Sequence, residues 1–90
     1  GTYQLYYIRD KDKREVDFLV TRDDNPWFLV EVKTSKNVRL NKYLAAFKEK
    51  TKASHAFQIA FDLDYIEQDC FSLSEPVIVP ATTFLRSEER

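Results

Sequence analysis

The sequence predicts a single α/β domain, with a mixed β-sheet of four or five strands and one main helix. Its 90 residues are enough for one domain with a small core, and a composition of 43% hydrophobic and 14% aromatic residues is typical of a folded chain. Short runs rich in aromatic and β-branched residues alternate with turn residues, and one later stretch changes to helical spacing.

The first half of the chain predicts three strands joined by polar turns. Residues 4–8 are rich in aromatic side chains, and residues 14–21 and 27–33 alternate between the two faces of a strand. Residues 22–26 contain Asp, Asn and Pro, which favour turns. We therefore expect the second and third strands to form a hairpin.

The second half begins with a predicted helix. Apolar residues at i, i+3, i+4 and i+7 form one helical stripe, consisting of Leu40, Tyr43, Leu44 and Phe47. The helix is expected to begin at Arg39 and to end near residues 50–52, where lysines favour a helix C-terminus.

Two more strands and a short helix complete the expected fold. Residues 55–61 form a fourth strand, and the strand–helix–strand order predicts that it runs parallel to the third. Residues 77–79 form a fifth strand that Pro80 ends, and residues 82–86 form a short terminal helix.

The predicted hairpin places charged side chains at alternate positions of both strands. Alternation sets Val16, Phe18 and Val20 on one face of the second strand, and Glu15, Asp17 and Leu19 on the other. On the third strand it separates Phe28, Val30 and Val32 from Trp27, Leu29, Glu31 and Lys33. Pairing Thr21 with Trp27 aligns Leu19 with Leu29, Asp17 with Glu31, and Glu15 with Lys33.

Facing carboxylates require a cation, because like charges opposite each other destabilise a sheet. Lys33 is one neutralising partner, and the result is then an ordinary ion pair on a solvated sheet face. A divalent metal is the other, held by Asp17, Glu31 and the backbone carbonyl of Val32. Magnesium prefers such hard oxygen ligands and completes its shell with water. Lys33 would then orient an attacking water or hold a phosphate oxygen.

These residues also carry a family resemblance. Asp17 followed by Glu31-Val32-Lys33 resembles the pattern of the PD-(D/E)XK nuclease superfamily, an acid on one strand and Glu-x-Lys on the next. The segments LYYIRDKDKREVDFLV, PWFLVEVKTS and VIVPATTFL resemble a C-terminal domain of unknown function that follows AAA-type ATPase modules in bacteria and archaea.

The resemblance implies a restriction-endonuclease-like fold over residues 1–90, as the C-terminal part of a longer prokaryotic ATPase. It implies magnesium or manganese as cofactor, with Asp17, Glu31 and Lys33 as catalytic residues. A further acid usually lies on a helix before the first strand, which this chain does not include. A nuclease-like fold does not by itself establish nuclease chemistry.

Charge and composition limit the partners. The only glycine is Gly1, which excludes a glycine-rich phosphate loop within this chain, so ATP is expected only in an upstream module. The net charge of −1 argues for weak binding of DNA or RNA, through Lys36, Arg39 and Lys42. No apolar run approaches the length of a membrane span, and the single cysteine, Cys70, is typical of a reducing cytoplasm.

Two functions remain open at this point. The first is metal-dependent hydrolysis of phosphodiesters in nucleic acid by a nuclease-like domain. The alternative is a non-catalytic module that binds a partner or packs against its own ATPase.

Overall fold

A computed structural model of the chain describes residues 1–9, 15–33 and 39–88. The elements in chain order are β1 (Tyr3–Arg9), β2 (Glu15–Arg22), β3 (Asn25–Lys33), α1 (Leu44–Thr51), β4 (His55–Ala60), β5 (Val77–Pro80) and α2 (Ala81–Glu88). A short 3-10 turn, Cys70–Ser72, precedes β5. Except for α1, each element begins within two residues of its predicted start.

The five strands form one mixed sheet in the order β1-β2-β3-β4-β5. The pairs β1–β2 and β2–β3 are antiparallel, whereas β3–β4 and β4–β5 are parallel. This confirms the mixed α/β sheet and the parallel crossover from β3 to β4. The predicted terminal helix is α2, which is eight residues long, the same length as α1.

The hairpin between β2 and β3 turns earlier than expected. Arg22 pairs with Asn25, and the two turn residues, Asp23 and Asp24, have φ of 52° and 67°. Two residues with positive φ match the twist of the flanking strands, and Asp tolerates this conformation better than most residues. The turn therefore occupies only two residues, and β3 begins two residues before Trp27.

A bulge in β3 moves Trp27 to the opposite face from that predicted. Val20 pairs with Phe28, but Thr21 pairs with Pro26, so Trp27 is an extra residue without a direct partner. The expected pairing of Thr21 with Trp27 is therefore wrong, while the pairing of Leu19 with Leu29 is confirmed. Because one inserted residue shifts the alternation, the indole packs with Phe28 rather than on the side of Leu29.

A second bulge, in β2, moves Val16. Tyr6 pairs with Leu19 and Ile8 pairs with Val16, so two residues of β2 lie opposite Tyr7 alone. Val16 consequently packs on the same side as Leu19, not with Phe18 as the simple alternation predicted. The bulge includes Asp17, one of the candidate site residues.

Helix α1 begins later than its apolar spacing predicts. Residues 39–43 lie outside the helix, and the Asn41 side chain accepts a hydrogen bond from the Tyr43 backbone N–H at 2.9 Å. This local Asn turn diverts the chain before the helix starts. Leu40, expected on the buried stripe, is 41% exposed, whereas Leu44 and Phe47 are buried as expected.

The sheet separates two apolar clusters. On the α1 side, buried residues come from β2, β3, α1, β4 and the connection between α1 and β4: Val16, Leu19, Leu29, Leu44, Phe47, Ala53 and Ala56. On the α2 side, the buried residues are Phe28, Val30, Phe57, Ile59, Cys70, Val79, Ala81 and Phe84. No helix in the described ranges is long and apolar enough to cross a membrane.

We predict that Phe57→Ala strongly destabilises the domain. Phe57 is fully buried, and its ring centroid lies 5.8 Å from that of Phe28 and 5.3 Å from that of Phe84. Removing a buried phenyl ring leaves a cavity and is expected to lower the free energy of unfolding by about 3–5 kcal/mol. Urea denaturation followed by circular dichroism measures this loss.

The matched control is Phe61→Ala, which follows β4 directly and is 59% exposed. We expect it to change the free energy of unfolding by less than about 0.5 kcal/mol, as surface substitutions usually do. Equal losses from the two variants would contradict the position of the core.

Candidate functional site

The carboxylate of Glu31 is buried near the C-terminal end of β3. The residue is only 7% exposed, and its Oε1 lies 2.9 Å from Nζ of Lys33. Its Oε2 accepts a hydrogen bond from the side-chain amide of Asn41. A buried carboxylate is costly unless it is paired and hydrogen-bonded, and Glu31 has both kinds of partner.

Asp17 contacts the same end of β3 from the neighbouring strand. The ladder between β2 and β3 includes Phe18 opposite Val30, and beyond this pair Oδ2 of Asp17 accepts a hydrogen bond from the Val32 backbone N–H at 2.7 Å. The side chain thus takes the place of a backbone acceptor beside the bulge. This bond brings the Asp17 carboxylate to the residue next to Glu31, although their direct pairing stays a prediction.

Lys33 carries the positive charge of the site. A hydrogen bond to Glu31 raises the pKa of Lys33, and the charge of Glu31 adds to the rise. Burial opposes the rise, and the charge of Asp17 makes the smallest contribution to it. The lysine is therefore an ammonium ion at neutral pH and cannot act there as a proton acceptor. The predicted partner Glu15 has its side chain outside the part of the chain that the structure describes.

Two amides complete the arrangement, and sequence reasoning missed both. Gln58 pairs with Glu31 across the parallel strands and is fully buried. Its Oε1 accepts from the Asn41 backbone N–H at 2.6 Å, and its Nε2 donates to the Arg39 carbonyl at 2.7 Å. We name Asp17, Glu31, Lys33, Asn41 and Gln58 the polar cluster. A glutamine inside the apolar run of β4 was the signal that could have revealed it.

The predicted nucleic-acid contacts are only partly described. Lys36 lies outside the described residues. Arg39 and Lys42 are exposed and flank Asn41, so both lie beside the polar cluster. The Lys42 ammonium lies 5.3 Å from the centroid of the Tyr43 ring. These two cations border the site, and their role in binding stays a prediction.

The donor chemistry of the cluster suits a hard divalent cation. Asp17 and Glu31 supply carboxylate oxygens, the ligands that magnesium and manganese prefer. Each carboxylate can accept about four hydrogen bonds or ligand contacts, so the bonds from Lys33 and Asn41 leave coordination capacity on Glu31. Within the described ranges, no group of three or more His, Cys, Asp or Glu converges, so an ion would need water or substrate as further ligands.

The family of the chain follows from a comparison with family models. Residues 1–83 match the model described as Domain of unknown function (DUF4143), and the chain belongs to this family. Neither a curated protein nor a solved structure matches the chain. The family assignment agrees with the expectation of a domain of unknown function and does not itself carry an activity.

We predict that Gln58→Leu destabilises the domain and loosens residues 39–41. Leucine fills a similar space but leaves the Asn41 N–H and the Arg39 carbonyl without their buried partner. Unsatisfied polar groups of this kind cost about 1–3 kcal/mol. Urea denaturation measures the loss, and amide hydrogen exchange should show faster exchange at Asn41. The control Gln68→Leu, in an exposed segment, should change neither measurement.

A separate prediction concerns Asp17. Asp17→Ala removes the acceptor for the Val32 N–H and one negative charge near Lys33, so we expect a loss of about 1–3 kcal/mol in the free energy of unfolding. Asp17→Asn retains a side-chain oxygen acceptor and should cost less. Thermal denaturation compares both with Asp64→Ala, which alters an exposed residue. Equal stability of Asp17→Ala and wild type would show that the bond to Val32 is dispensable.

Proposed function

We propose that the polar cluster is the metal-dependent phosphodiester hydrolysis site of a nuclease-like domain in the PD-(D/E)XK superfamily. The observation that carries this proposal is the ion pair of Glu31 and Lys33, 2.9 Å apart, with Asp17 bonded to the intervening residue Val32. An acid on one strand and a Glu-x-Lys pair on the next thereby meet at one end of the sheet. A restriction-endonuclease-like fold is part of the same proposal.

The two carboxylates of Asp17 and Glu31 are the proposed holders of magnesium or manganese, with the Val32 carbonyl as a third ligand. Such an ion lowers the pKa of bound water and offsets negative charge that develops on a phosphodiester. Asn41 orients the Glu31 carboxylate, and Gln58 in turn holds the backbone of Asn41.

Lys33 has a different role in this proposal. Its side chain is 47% exposed, so the ammonium can hold a phosphate oxygen or an attacking water while it remains paired with Glu31. Because its pKa is raised, Lys33 stays protonated, so it contributes a positive charge and positions the water or the phosphate oxygen. Another group or solvent must accept the proton that the attacking water releases. The Glu31 carboxylate is thus shielded from solvent, whereas the Lys33 ammonium beside it is accessible to a substrate.

We further infer that the domain is the C-terminal part of a prokaryotic, cytoplasmic AAA-type ATPase, with ATP bound only in the upstream module. DNA or RNA is then the substrate class, contacted weakly by Lys36, Arg39 and Lys42. The exposed position of Arg39 and Lys42 next to the polar cluster supports this assignment. The superfamily resemblance of Asp17 and Glu31-Val32-Lys33 supports it independently.

A second candidate function rests on a specific observation. Both oxygens of Glu31 already have protein partners, Lys33 and Asn41, and Gln58 bonds two backbone groups of residues 39–41. The polar cluster therefore joins the segment before α1 to the sheet without any ligand. In this alternative, the cluster is structural, and the domain binds a partner or packs against its ATPase without catalysis.

We predict metal-dependent cleavage by the parent protein and little or no cleavage by the 90-residue chain, because the PD-(D/E)XK resemblance implies a further acid on an upstream helix. The assay incubates labelled single- and double-stranded DNA and RNA with magnesium, manganese or chelator. Glu31→Gln and Lys33→Ala should each lower the rate at least about 100-fold, since catalytic groups that act as a unit fail together.

The control is Lys50→Ala, which removes an exposed lysine of α1 away from the polar cluster. It should retain the wild-type rate. Manganese-induced broadening of NMR signals provides a second readout, with the signals of Asp17 and Val32 broadened in wild type and unaffected in folded Glu31→Gln. A parent protein that neither cleaves any substrate nor binds the metal would favour the structural alternative.

A further inference from the structure

A cavity adjoins the polar cluster where β1 ends and β2 begins. Its volume is about 590 Å³, within the range of about 300–1,000 Å³ that is typical of small-molecule sites. Among the residues that the structure describes, the lining consists of Tyr7, Ile8, Arg9, Val16, Asp17, Phe18 and Val32. Asp17 and Val32, which form a hydrogen bond, thus belong both to the cavity wall and to the proposed hydrolysis site.

One wall of the cavity is an aromatic pair in which Tyr7 is exposed and Phe18 is half-buried. Tyr7 is 82% exposed, although tyrosines on strands usually pack, and its ring centroid lies 5.4 Å from that of Phe18. The bulge in β2 creates this arrangement, because it sets Phe18 and Asp17 together opposite Tyr7. An exposed aromatic face is a platform on which a nucleic-acid base can stack.

The charges around the cavity are arranged for a chain that carries phosphates. Arg9 belongs to the lining, and the guanidinium of an arginine matches phosphate oxygens in a two-point contact. At the Asp17 end, Lys33 supplies the next cation, because it directly follows Val32, whose N–H bonds to Asp17. A bound strand would therefore meet a cation, an aromatic face and the acidic site in succession.

We propose that this cavity binds an unpaired nucleotide of a single-stranded nucleic acid, with the base against Tyr7 and the adjoining phosphate at Arg9. The inference deepens the proposed function, on which it rests, by naming the substrate as single-stranded at this position. In a duplex, neighbouring base pairs cover both faces of each base, so no face of a base is free to stack on the Tyr7 ring. Because the side chains of Ile8 and Phe18 in the lining are apolar, the cavity favours binding of the base there over binding of a second phosphate.

The test is a binding assay in chelator, in which no metal-dependent cleavage can occur. Fluorescence anisotropy measures the affinity of the 90-residue chain for labelled single-stranded DNA, single-stranded RNA and a duplex of the same sequence. We expect weak binding that favours both single strands over the duplex. Tyr7→Ala should weaken single-strand binding about tenfold or more, since stacking on an aromatic ring contributes substantially for each base. Tyr7→Phe should bind as wild type does.

Tyr6→Ala is the matched control. Tyr6 is 46% exposed, neighbours Tyr7 and does not line the cavity, and its hydroxyl donates to Gln4. It should leave the affinity unchanged. Arg9→Gln should weaken binding and reduce its dependence on salt, because one fewer phosphate contact releases fewer counterions. Circular dichroism establishes that each variant is folded.

The outcomes separate this inference from the proposed function. Equal affinity for single strand and duplex, no effect of Tyr7→Ala, or no oligonucleotide binding at all would overturn the inference. Single-strand binding that depends on Tyr7, in a parent protein that never cleaves, would leave the cavity assignment intact and remove the hydrolysis proposal. Cleavage by the parent protein that Tyr7→Ala leaves at full activity would support the hydrolysis proposal and overturn the cavity assignment.

Discussion

The burial of the Glu31 carboxylate is the constraint on which the site depends. A charged group at this depth in a small domain must have partners on all its oxygens, and the chain supplies them from its own strand and from the segment before α1. Because Asn41 is one partner, residues 39–41 must lie over the end of β3, and Gln58 holds them there through two backbone groups. The late start of α1 is a consequence of the same arrangement, since Asn41 also accepts from the Tyr43 N–H.

Two bulges decide where side chains of the antiparallel strands β2 and β3 lie. The bulge at Trp27 places a large ring on the α2 side, where it stacks with Phe71 at a centroid distance of 5.1 Å. The bulge in β2 brings Val16 into the α1 cluster and gives Asp17 access to the Val32 N–H. Bulges redirect side chains and often occur beside functional sites, and here one of them adjoins both the polar cluster and the cavity at Tyr7.

The two proposals for the polar cluster differ in what the hydrogen bonds mean. In a hydrolysis site, the bonds of Asn41 and Lys33 hold Glu31 in one orientation before any ion or substrate arrives, which is how a rigid scaffold supports catalysis. In a structural cluster, the same bonds provide the buried Glu31 carboxylate with the partners that offset its desolvation, and no ion or substrate is needed. The half-exposed Lys33 and the adjoining cavity are features that a purely structural cluster does not require, and they favour the first proposal.

The sequence by itself determined the α/β class, the strands, the parallel crossover and the nearness of Asp17 to the Glu-x-Lys segment, because these follow from local spacing and from the rules of strand connection. It did not determine the faces of Val16 and Trp27, since a bulge adds one residue to a strand without changing the local pattern. Nor did it reveal Asn41 and Gln58 as partners of the site. Their contacts join residues from separate elements, and only the packing of α1 and β4 against β3 brings these amides to Glu31.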